Sequence, residues 1–578
     1  MSLKIVNKTV RQFAAQRAWL ALAFLCQATP AFAVTATTPI EHLIVVVGEN
    51  RSFDNLFGVY QPAAGQQISN LLSRSIVTLD GSPGPNFSAA TQRRALGFDR
   101  YSPTPMVSEA YKQLPRLHYS GVTGKKSAAI DPRFPADLPN GPFQISRYAK
   151  PDTATGDPVH RFFQMWQQVN GGLNDLFVWT GETAGSWSDK QHKVRATNQG
   201  GVAMGFYNLS AGDLPYFRNL ADNYALADNY HQSVMGGTTA NYFALASADM
   251  AYYTEGGQVA VPPLRQIGNP DPRAGTNNGF SNDGQGRGVY VQCADPAQPG
   301  VAAIRQLLKR LPYPAFNDGN CAPGNYYLVN NLDPGFSPTG QSLPVTADDF
   351  HLSPQSLPNI GESLSAAGIG WHWYSGGRKL GIDASRDYCA TCDPLTSFTS
   401  IMTGKDRTRL LDLGRFFTDA QDAASFPAVA FIAPNDGGSG HAGYSTIAQF
   451  EKLVQDIVER VQSNPDLWKS TAILVTFDEG GGYYDSGYVQ AIDFFGDGTR
   501  VPMLAISPYA RHGRIDHNYY DHASVIKFIN RNWGLAPLSQ RSRDNLPNPV
   551  ADPRDPYVPL NRPAVGDLMN LFDFSKKR

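Results

Sequence analysis

Four short segments of nearly continuous apolar residues predict buried β-strands. They are HLIVVV from His42, AVAFIA from Ala428, AILVTF from Ala472 and PMLAIS from Pro502, each bounded by Gly, Pro, Asn or Asp. Strands that are apolar on both faces are typical of parallel sheets covered by helices on each side. The pattern therefore predicts an α/β protein with a largely parallel central sheet flanked by helices.

Two segments show the three- and four-residue spacing of an amphipathic helix. Apolar residues recur at this spacing from Ile447 to Val461, ahead of Pro465, which predicts a helix leading to the strand near Ala472. A second helix is predicted in HASVIKFINRNW, after His522.

Two long stretches, near 61–158 and 255–350, have little periodicity and are rich in Gly, Pro, Asn and Ser. Loops of this length are usually functional segments or excursions from a core. With no internal repeat, residues 34–578 are predicted to form a single domain carrying these two insertions.

Residues 1–33 have the pattern of a secretory signal peptide. Basic residues precede the apolar run AWLALAFLC, and AFA, ending at Ala33, provides the small residues of a cleavage site. A retained anchor and a lipoprotein signal ending at Cys26 are the alternatives, but the run is short for a bilayer span and FL before Cys26 lacks small residues. We expect a secreted or periplasmic protein with no stable membrane span.

The overall charge gives no sign of a polyanionic partner. The chain of 578 residues has 49 basic and 50 acidic residues, a net charge of −1, and 42% apolar residues, enough for a sizeable core. Such a balance predicts no binding of nucleic acid or of an anionic membrane surface by long-range attraction.

Four cysteines follow the predicted cleavage site. An even number in an exported chain favours disulfides, and four cysteines allow three pairings. Local pairs are preferred, Cys293 with Cys321 and Cys389 with Cys392. CATC can also be a redox pair or half of a metal site, although no second such pair exists in the sequence to complete a zinc site.

Oxygen-bearing side chains follow two of the predicted strands. Glu49 and Asn50 come after HLIVVV, and Asp478 and Glu479 come after AILVTF. Ligands gather at the carboxyl ends of strands in open α/β sheets, and such oxygens suit a hard cation such as Ca²⁺, Mg²⁺ or Mn²⁺. Each pair alone could instead begin a turn or cap a helix; together they favour one cation site.

DNYHQSVMGGTTANYFAL places hydroxyls after two glycines and before a segment that can be helical. Thr238 is a candidate nucleophile among helix N-terminal amides, and Thr239 is a candidate helix cap. The alternative is that both residues only cap the helix.

Three of the 11 histidines are candidates for contact with phosphate or with a leaving oxygen. His441 lies in the glycine-rich loop NDGGSGHAGYS, His160 begins a helical stretch, and His517 follows PMLAIS and its loop. Each can also be an ordinary surface histidine.

Several motifs together resemble those of one enzyme family. EHLIVVVGENRSFDNLFG, DNYHQSVMGGTTANYFAL, NDGGSGHAGYS, AILVTFDEGGGYYD, PMLAISPYARHGRIDH and ASVIKFINRNWGL, between Pro39 and Leu535, are similar to motifs of the bacterial phosphoesterase family of acid phosphatases and non-haemolytic phospholipases C. The resemblance implies an alkaline-phosphatase-like α/β fold, a single metal ion, and a phospho-enzyme formed on Ser or Thr.

The resemblance also implies roles for individual residues. Thr238 matches the nucleophile position, and His160 and His441 match histidines that line the phosphate site. The implied metal ligands are Glu49, Asn50, Thr238, Asp478 and Glu479. The sequence departs from the family where many members have two adjacent histidines before a proline: YCATCDP places Thr391 and Cys392 there.

The resemblance leaves the substrate open between a phosphate monoester and a phospholipid. We favour an acid phosphatase acting through a phospho-threonine, because the chain ends about forty residues after NRNWGL and lacks an amphipathic basic helix for docking on a bilayer. Phospholipase C is the alternative. An exported protein that only binds a structural cation is an alternative of another class, and a serine hydrolase is disfavoured because GGSGHAG does not fit G-x-S-x-G.

Overall fold

The computed structural model describes residues 35–96, 100–183, 198–272, 287–345, 350–379 and 387–575. The chain divides into two units, Met1–Ala33 and Val34–Arg578. The predicted signal peptide lies outside the described residues and stays a prediction.

A central sheet of eight strands organises the second unit. In chain order the strands are β1 (His42–Gly48), β2 (Ala225–Ala227), β3 (Trp371–Ser375), β4 (Leu410–Asp412), β5 (Val429–Ala433), β6 (Thr471–Phe477), β7 (Met503–Ile506) and β8 (Ile515–Asp516). Their order across the sheet is β4-β3-β5-β1-β6-β7-β2-β8. Only β7 among these strands runs antiparallel to its neighbours, so the predicted largely parallel α/β sheet is confirmed.

The four predicted strands correspond to β1, β5, β6 and β7. Every residue of β5 and β6 is buried, as their continuous apolar sequences predict. The apolar pattern alone does not give strand direction: β7 pairs antiparallel with β6 because the segment between them contains no crossover helix.

Twelve α-helices accompany the sheet in the described residues. They are α1 (Phe53–Phe57), α2 (Phe162–Val169), α3 (Phe177–Thr183), α4 (Pro215–Asn223), α5 (Thr238–Ser247), α6 (Val301–Lys309), α7 (Ile360–Ala366), α8 (Thr399–Met402), α9 (Leu413–Asp419), α10 (Ile447–Gln462), α11 (Pro465–Trp468) and α12 (Ala523–Trp533). Both predicted helices are confirmed as α10 and α12. A capping box between Thr446 and Gln449 begins α10, and Gly534 in the left-handed region ends α12.

The two predicted insertions carry short paired strands. Within 61–158 the described residues form no α-helix, whereas 255–350 contains α6. The two-stranded pairs outside the central sheet are Arg93–Ala95 with Val107–Ala110, Phe143–Gln144 with Gly205–Phe206, Tyr230–His231 with Tyr520–Asp521, Thr254–Glu255 with Gln258–Val259, and Tyr290–Val291 with Tyr327–Leu328.

Both preferred disulfides, Cys293–Cys321 and Cys389–Cys392, are present. None of the helices in the described ranges combines the length and apolar character needed to cross a bilayer.

The order of the central strands determines where the candidate residues meet. β5, β1 and β6 are adjacent and parallel, so the segments that follow them leave the sheet at the same edge. These segments carry His441 after β5, Glu49 and Asn50 after β1, and Asp478 after β6. The fold thus gathers three distant parts of the sequence at one edge.

Candidate active site

Backbone hydrogen bonds tie the ends of β1 and β6 together. The Asp478 N–H donates to Gly48 O (3.0 Å), and the Arg51 N–H donates to Glu479 O (3.0 Å). The Asn50 N–H donates to Asp478 Oδ1 (3.1 Å), and Asn50 has a left-handed backbone with φ of 64°. This turn places the two segments that carry the predicted oxygen-bearing residues side by side.

Several oxygens in this group are buried without a hydrogen-bond partner. They are Asn50 Oδ1, Asp478 Oδ2 and Glu479 Oε2. Buried polar atoms are nearly always paired, so unpaired carboxylate and amide oxygens at one place fit the ligands of a hard cation. Glu49, Asn50, Asp478, Glu479 and Thr238 are the residues that would hold it.

Burial, with neighbouring negative charges for Glu49 and Glu479, raises the pKa values of these acids. Burial, then the charges of Asp478, Asp436 and Asp157, raises the pKa of Glu49 well above its usual range. Burial, then the charge of Asp478, does the same for Glu479. Burial raises the pKa of Asp478 to about 7. A divalent cation would offset this repulsion.

Thr238 stands at the N-terminus of α5 with its hydroxyl directed to the acids. It is the first residue of the helix, and its Oγ1 donates to Glu479 Oε1 (3.3 Å). The prediction that Thr239 caps the helix is wrong, because Gly237 is the N-cap and makes no side-chain cap. Instead, Thr239 Oγ1 donates to Leu332 O (3.0 Å), and Asn331 Oδ1 accepts from the Thr239 N–H (2.9 Å).

The structure brings His160 and His441 together with Asp157. Ligand atoms of the three side chains lie within 4.8 Å of one another, and the two imidazole centroids are 6.0 Å apart. Asp157 was missed by sequence reasoning. Its place three residues before His160, in GDPVH, is the only local signal that could have indicated it.

Backbone carbonyls fix the tautomers of both histidines. His160 Nδ1 donates to Pro158 O (2.7 Å) and His441 Nδ1 donates to Ala442 O (2.5 Å). His160 Nε2 is buried without a partner. In a neutral ring, Nε2 is then an acceptor, so either ring must take up a proton before it can donate to phosphate or to a leaving oxygen.

His517 is not part of this group. Its Nδ1 lies 2.7 Å from Asp228 Oδ1, and its ring packs against Tyr557. The contacts with Asp228 and Tyr557 account for this histidine.

The Cys389–Cys392 disulfide lies directly beside Glu49. Glu49 Oε1 is 3.0 Å from Cys392 Sγ and 3.6 Å from Cys389 Sγ. The segment containing Thr391 and Cys392, where the family resemblance leads one to expect histidines, therefore borders the acidic group. Sequence analysis predicted the disulfide but not this contact.

Two further residues hydrogen-bond to backbone carbonyl groups next to the candidate side chains. Arg51 Nη2 donates to Gly440 O (2.7 Å), next to His441, and its guanidinium lies 5.0 Å from the Tyr483 ring centroid. His522 Nε2 donates to Asp478 O (2.6 Å). Both residues are buried and hold backbone that carries candidate groups.

Comparison with known proteins identifies a family. The model of the Phosphoesterase family matches residues 40–536. Phospholipase C A of Mycobacterium tuberculosis is 24% identical over 572 residues, covering 93% of this chain and 78% of that protein. Non-hemolytic phospholipase C of Burkholderia pseudomallei is 22% identical over 574 residues, covering 93% and 59%. Acid phosphatase of Aspergillus niger is 27% identical over 213 residues, covering 35% and 48%.

A solved structure also aligns with part of the chain. It is a protein in the alkaline phosphatase superfamily from Vibrio parahaemolyticus, 8% identical, with a TM-score of 0.28, covering 57% of this chain and 63% of that chain. A score at this level carries no conclusion about fold or function. The family model spans most of the chain, and the protein therefore belongs to the phosphoesterase family.

Proposed function

We propose that this phosphoesterase is a metal-dependent acid phosphatase that forms a covalent phosphate ester on Thr238. The observation that supports this most is the position of Thr238. It is the first residue of α5, and its hydroxyl donates to Glu479 Oε1. Buried oxygens without a hydrogen-bond partner belong to Asn50, Asp478 and Glu479. A hydroxyl so placed has a proton acceptor and helix amides next to it. The alternative of a binding protein with only a structural cation does not fit a chain of an enzyme family.

Each residue has a role in the proposed reaction. Glu479 orients Thr238 and accepts its proton as Oγ1 attacks phosphorus. The positive end of the α5 dipole would stabilise the phosphoryl oxygens, and a protonated His160 or His441 gives a proton to the leaving ester oxygen. When bound by the acids, Asn50 and Thr238, a divalent cation would supply charge neutralisation and lower the pKa of the hydroxyl. A water molecule then gives a proton to the neutral histidine and attacks phosphorus, the bond between phosphorus and Oγ1 breaks, and Oγ1 recovers its proton from Glu479.

Burial of the site favours a small substrate. The exposed fraction is 2% for Thr238 and 5% for His441, and His160 and the four residues that follow β1 and β6 are no more exposed. A phosphate monoester presents a terminal phosphoryl group with one substituent, which fits such an enclosed site better than a diester does.

A phospholipid is the second candidate substrate. The observation that favours it is that relatives named phospholipase C align over 93% of this chain, whereas the acid phosphatase aligns over 35%. The test is kcat/KM for a simple aryl phosphomonoester and for phosphatidylcholine in mixed micelles, from acidic to neutral pH. A higher kcat/KM for the monoester supports the acid phosphatase proposal. A clearly higher kcat/KM for the lipid contradicts that proposal and supports phospholipase C activity.

Substitution of Thr238 tests the nucleophile. We expect Thr238→Ala to lower kcat on the order of 10⁴-fold or more, as for other covalent nucleophiles, with an unchanged circular dichroism spectrum. Thr238→Ser keeps the hydroxyl and should retain activity within about tenfold. Activity near the wild-type level in Thr238→Ala would overturn the covalent mechanism.

We also propose that the protein is exported to the periplasm or the medium. The N-terminal pattern and the pairing of the four remaining cysteines support this proposal. N-terminal sequencing of protein recovered outside the cytoplasm should begin at Val34, and recovery of the intact chain from the cytoplasm would contradict it.

A further inference from the structure

The Cys389–Cys392 pair and Glu49 form a compact set of ligand atoms. The two sulfurs and a Glu49 oxygen lie within 4.8 Å of one another. All three residues are buried, with exposed fractions of 6% for Cys389, 0% for Cys392 and 1% for Glu49. The other disulfide, Cys293–Cys321, is not in this group.

Residues on both sides of the two cysteines are anchored independently of the disulfide. Tyr388 precedes Cys389 and Asp393 follows Cys392, and the Tyr388 hydroxyl donates to Asp393 Oδ2 (2.8 Å). The buried Arg378 guanidinium pairs with Asp393, and Ser375 Oγ, at the end of β3, donates to Asp393 Oδ2 (2.9 Å). Breaking the S–S bond therefore leaves both sulfurs beside Glu49.

We propose that reduction converts this pair into a binding site for a soft divalent cation, Zn²⁺ or Cd²⁺, with Cys389, Cys392 and Glu49 as ligands. A dithiol reductant supplies two electrons and two protons, the S–S bond breaks, two thiols form, and the reductant becomes a disulfide. Each thiol then releases its proton to water as its sulfur binds the cation.

The chemistry of the three ligands supports this choice of ion. Two thiolates separated by two residues are a common half of a zinc site, and a carboxylate oxygen is a normal third ligand. The Cys392 N–H donates to Cys389 O (3.3 Å), a turn that keeps both sulfurs on one side. Because Glu49 is also among the proposed ligands of the hard cation, the two ions compete for it.

Titration with Cd²⁺ tests the proposal without measuring hydrolysis. The full chain is reduced with a dithiol, freed of reductant under anaerobic conditions and titrated with Cd²⁺, while the ultraviolet thiolate-to-metal charge-transfer band and bound metal are followed. Two double variants are matched: Cys389→Ser/Cys392→Ser removes the site, and Cys293→Ser/Cys321→Ser removes the other disulfide. Reduced wild-type protein alkylated with iodoacetamide is a further control. Its thiols are blocked without any substitution, so loss of the band there cannot come from misfolding of a variant.

The expected result is one Cd²⁺ with a thiolate band in the reduced wild type and in Cys293→Ser/Cys321→Ser. The band should be absent from the oxidised protein, from the alkylated protein and from Cys389→Ser/Cys392→Ser. Glu49→Gln should weaken binding about 10- to 100-fold. An equal band in Cys389→Ser/Cys392→Ser, or unchanged affinity in Glu49→Gln, overturns the proposal, whatever the outcome for hydrolysis.

Discussion

At the scale of single residues, proton position decides what the two site histidines can do. Each Nδ1–H is committed to a backbone carbonyl, so donation from Nε2 requires a charged ring. Burial, together with the nearby His160 ring, lowers the pKa of His441, although the charge of Asp157 opposes this shift. His441 is therefore neutral near pH 7 and becomes a donor only in acid.

The protonation of His441 predicts how kcat/KM depends on pH. We expect kcat/KM to rise as pH falls below the usual histidine value of about 6.5, because only the protonated ring can donate to the leaving oxygen. The amide of His441→Gln can donate without titrating, so the acid limb of the profile should flatten in that variant. His517→Gln is the matched control outside the site and should keep the wild-type profile. An unaltered acid limb in His441→Gln would contradict the assignment.

At the scale of elements, the site depends on how closely the turns after β1 and β6 approach. Gly481, at φ of +57°, leaves no room for a side chain: a Cβ there would lie 2.5 Å from Asn50 Cβ and 2.9 Å from Asn50 O. The glycine lets the β6 turn pass against the β1 turn and keeps their oxygens together.

Gly481→Ala should therefore displace Asn50. We expect it to weaken divalent cation binding, measured by calorimetry, by at least about tenfold. Gly65→Ala is the control: Gly65 also has positive φ, of +87°, but a Cβ there meets nothing within 4 Å, so it carries only the left-handed backbone cost of about 1–2 kcal/mol. Equal cation affinity in the two variants would show that the contact is unimportant.

Several helices and strands could be predicted from the sequence, but the contacts between side chains of different elements could not. The apolar runs that became β1, β5 and β6 and the periodicity of α10 identify their elements directly. Short or polar strands such as β4 and β8 lack such a signal. Glu49, Asn50, Asp478 and Glu479 could be named because they follow strands. Asp157 and the contact of Cys392 with Glu49 arise from loops whose paths no local pattern specifies.

At the scale of the whole molecule, the buried acids oppose folding when no cation neutralises them. The pKa values of Glu49, Asp478 and Glu479 are raised in the folded chain. The folded state thus keeps protons that the unfolded state releases, so the stability of metal-free protein falls as pH rises between the unfolded carboxyl pKa of about 4 and the folded values.

Melting measurements check this expectation. Metal-free protein should lose stability from pH 5 to pH 8, and Asp478, with a pKa of about 7, would account for about 3 kcal/mol of the loss. Added Ca²⁺, Mg²⁺ or Mn²⁺ should stabilise the protein more at pH 8 than at pH 5, because the cation binds the ionised acids. Asp478→Asn should reduce both effects. A metal-free protein that becomes more stable over this range would contradict the site.

Whether phosphate becomes attached to Thr238 is the most direct test of the central claim. Wild-type protein is mixed with a radiolabelled phosphomonoester, quenched in acid within the first turnover, digested and analysed by mass spectrometry. We expect label on one peptide, on Thr238, in the wild type and none in Thr238→Ala. Turnover with no labelled protein, or label on another residue, would contradict it.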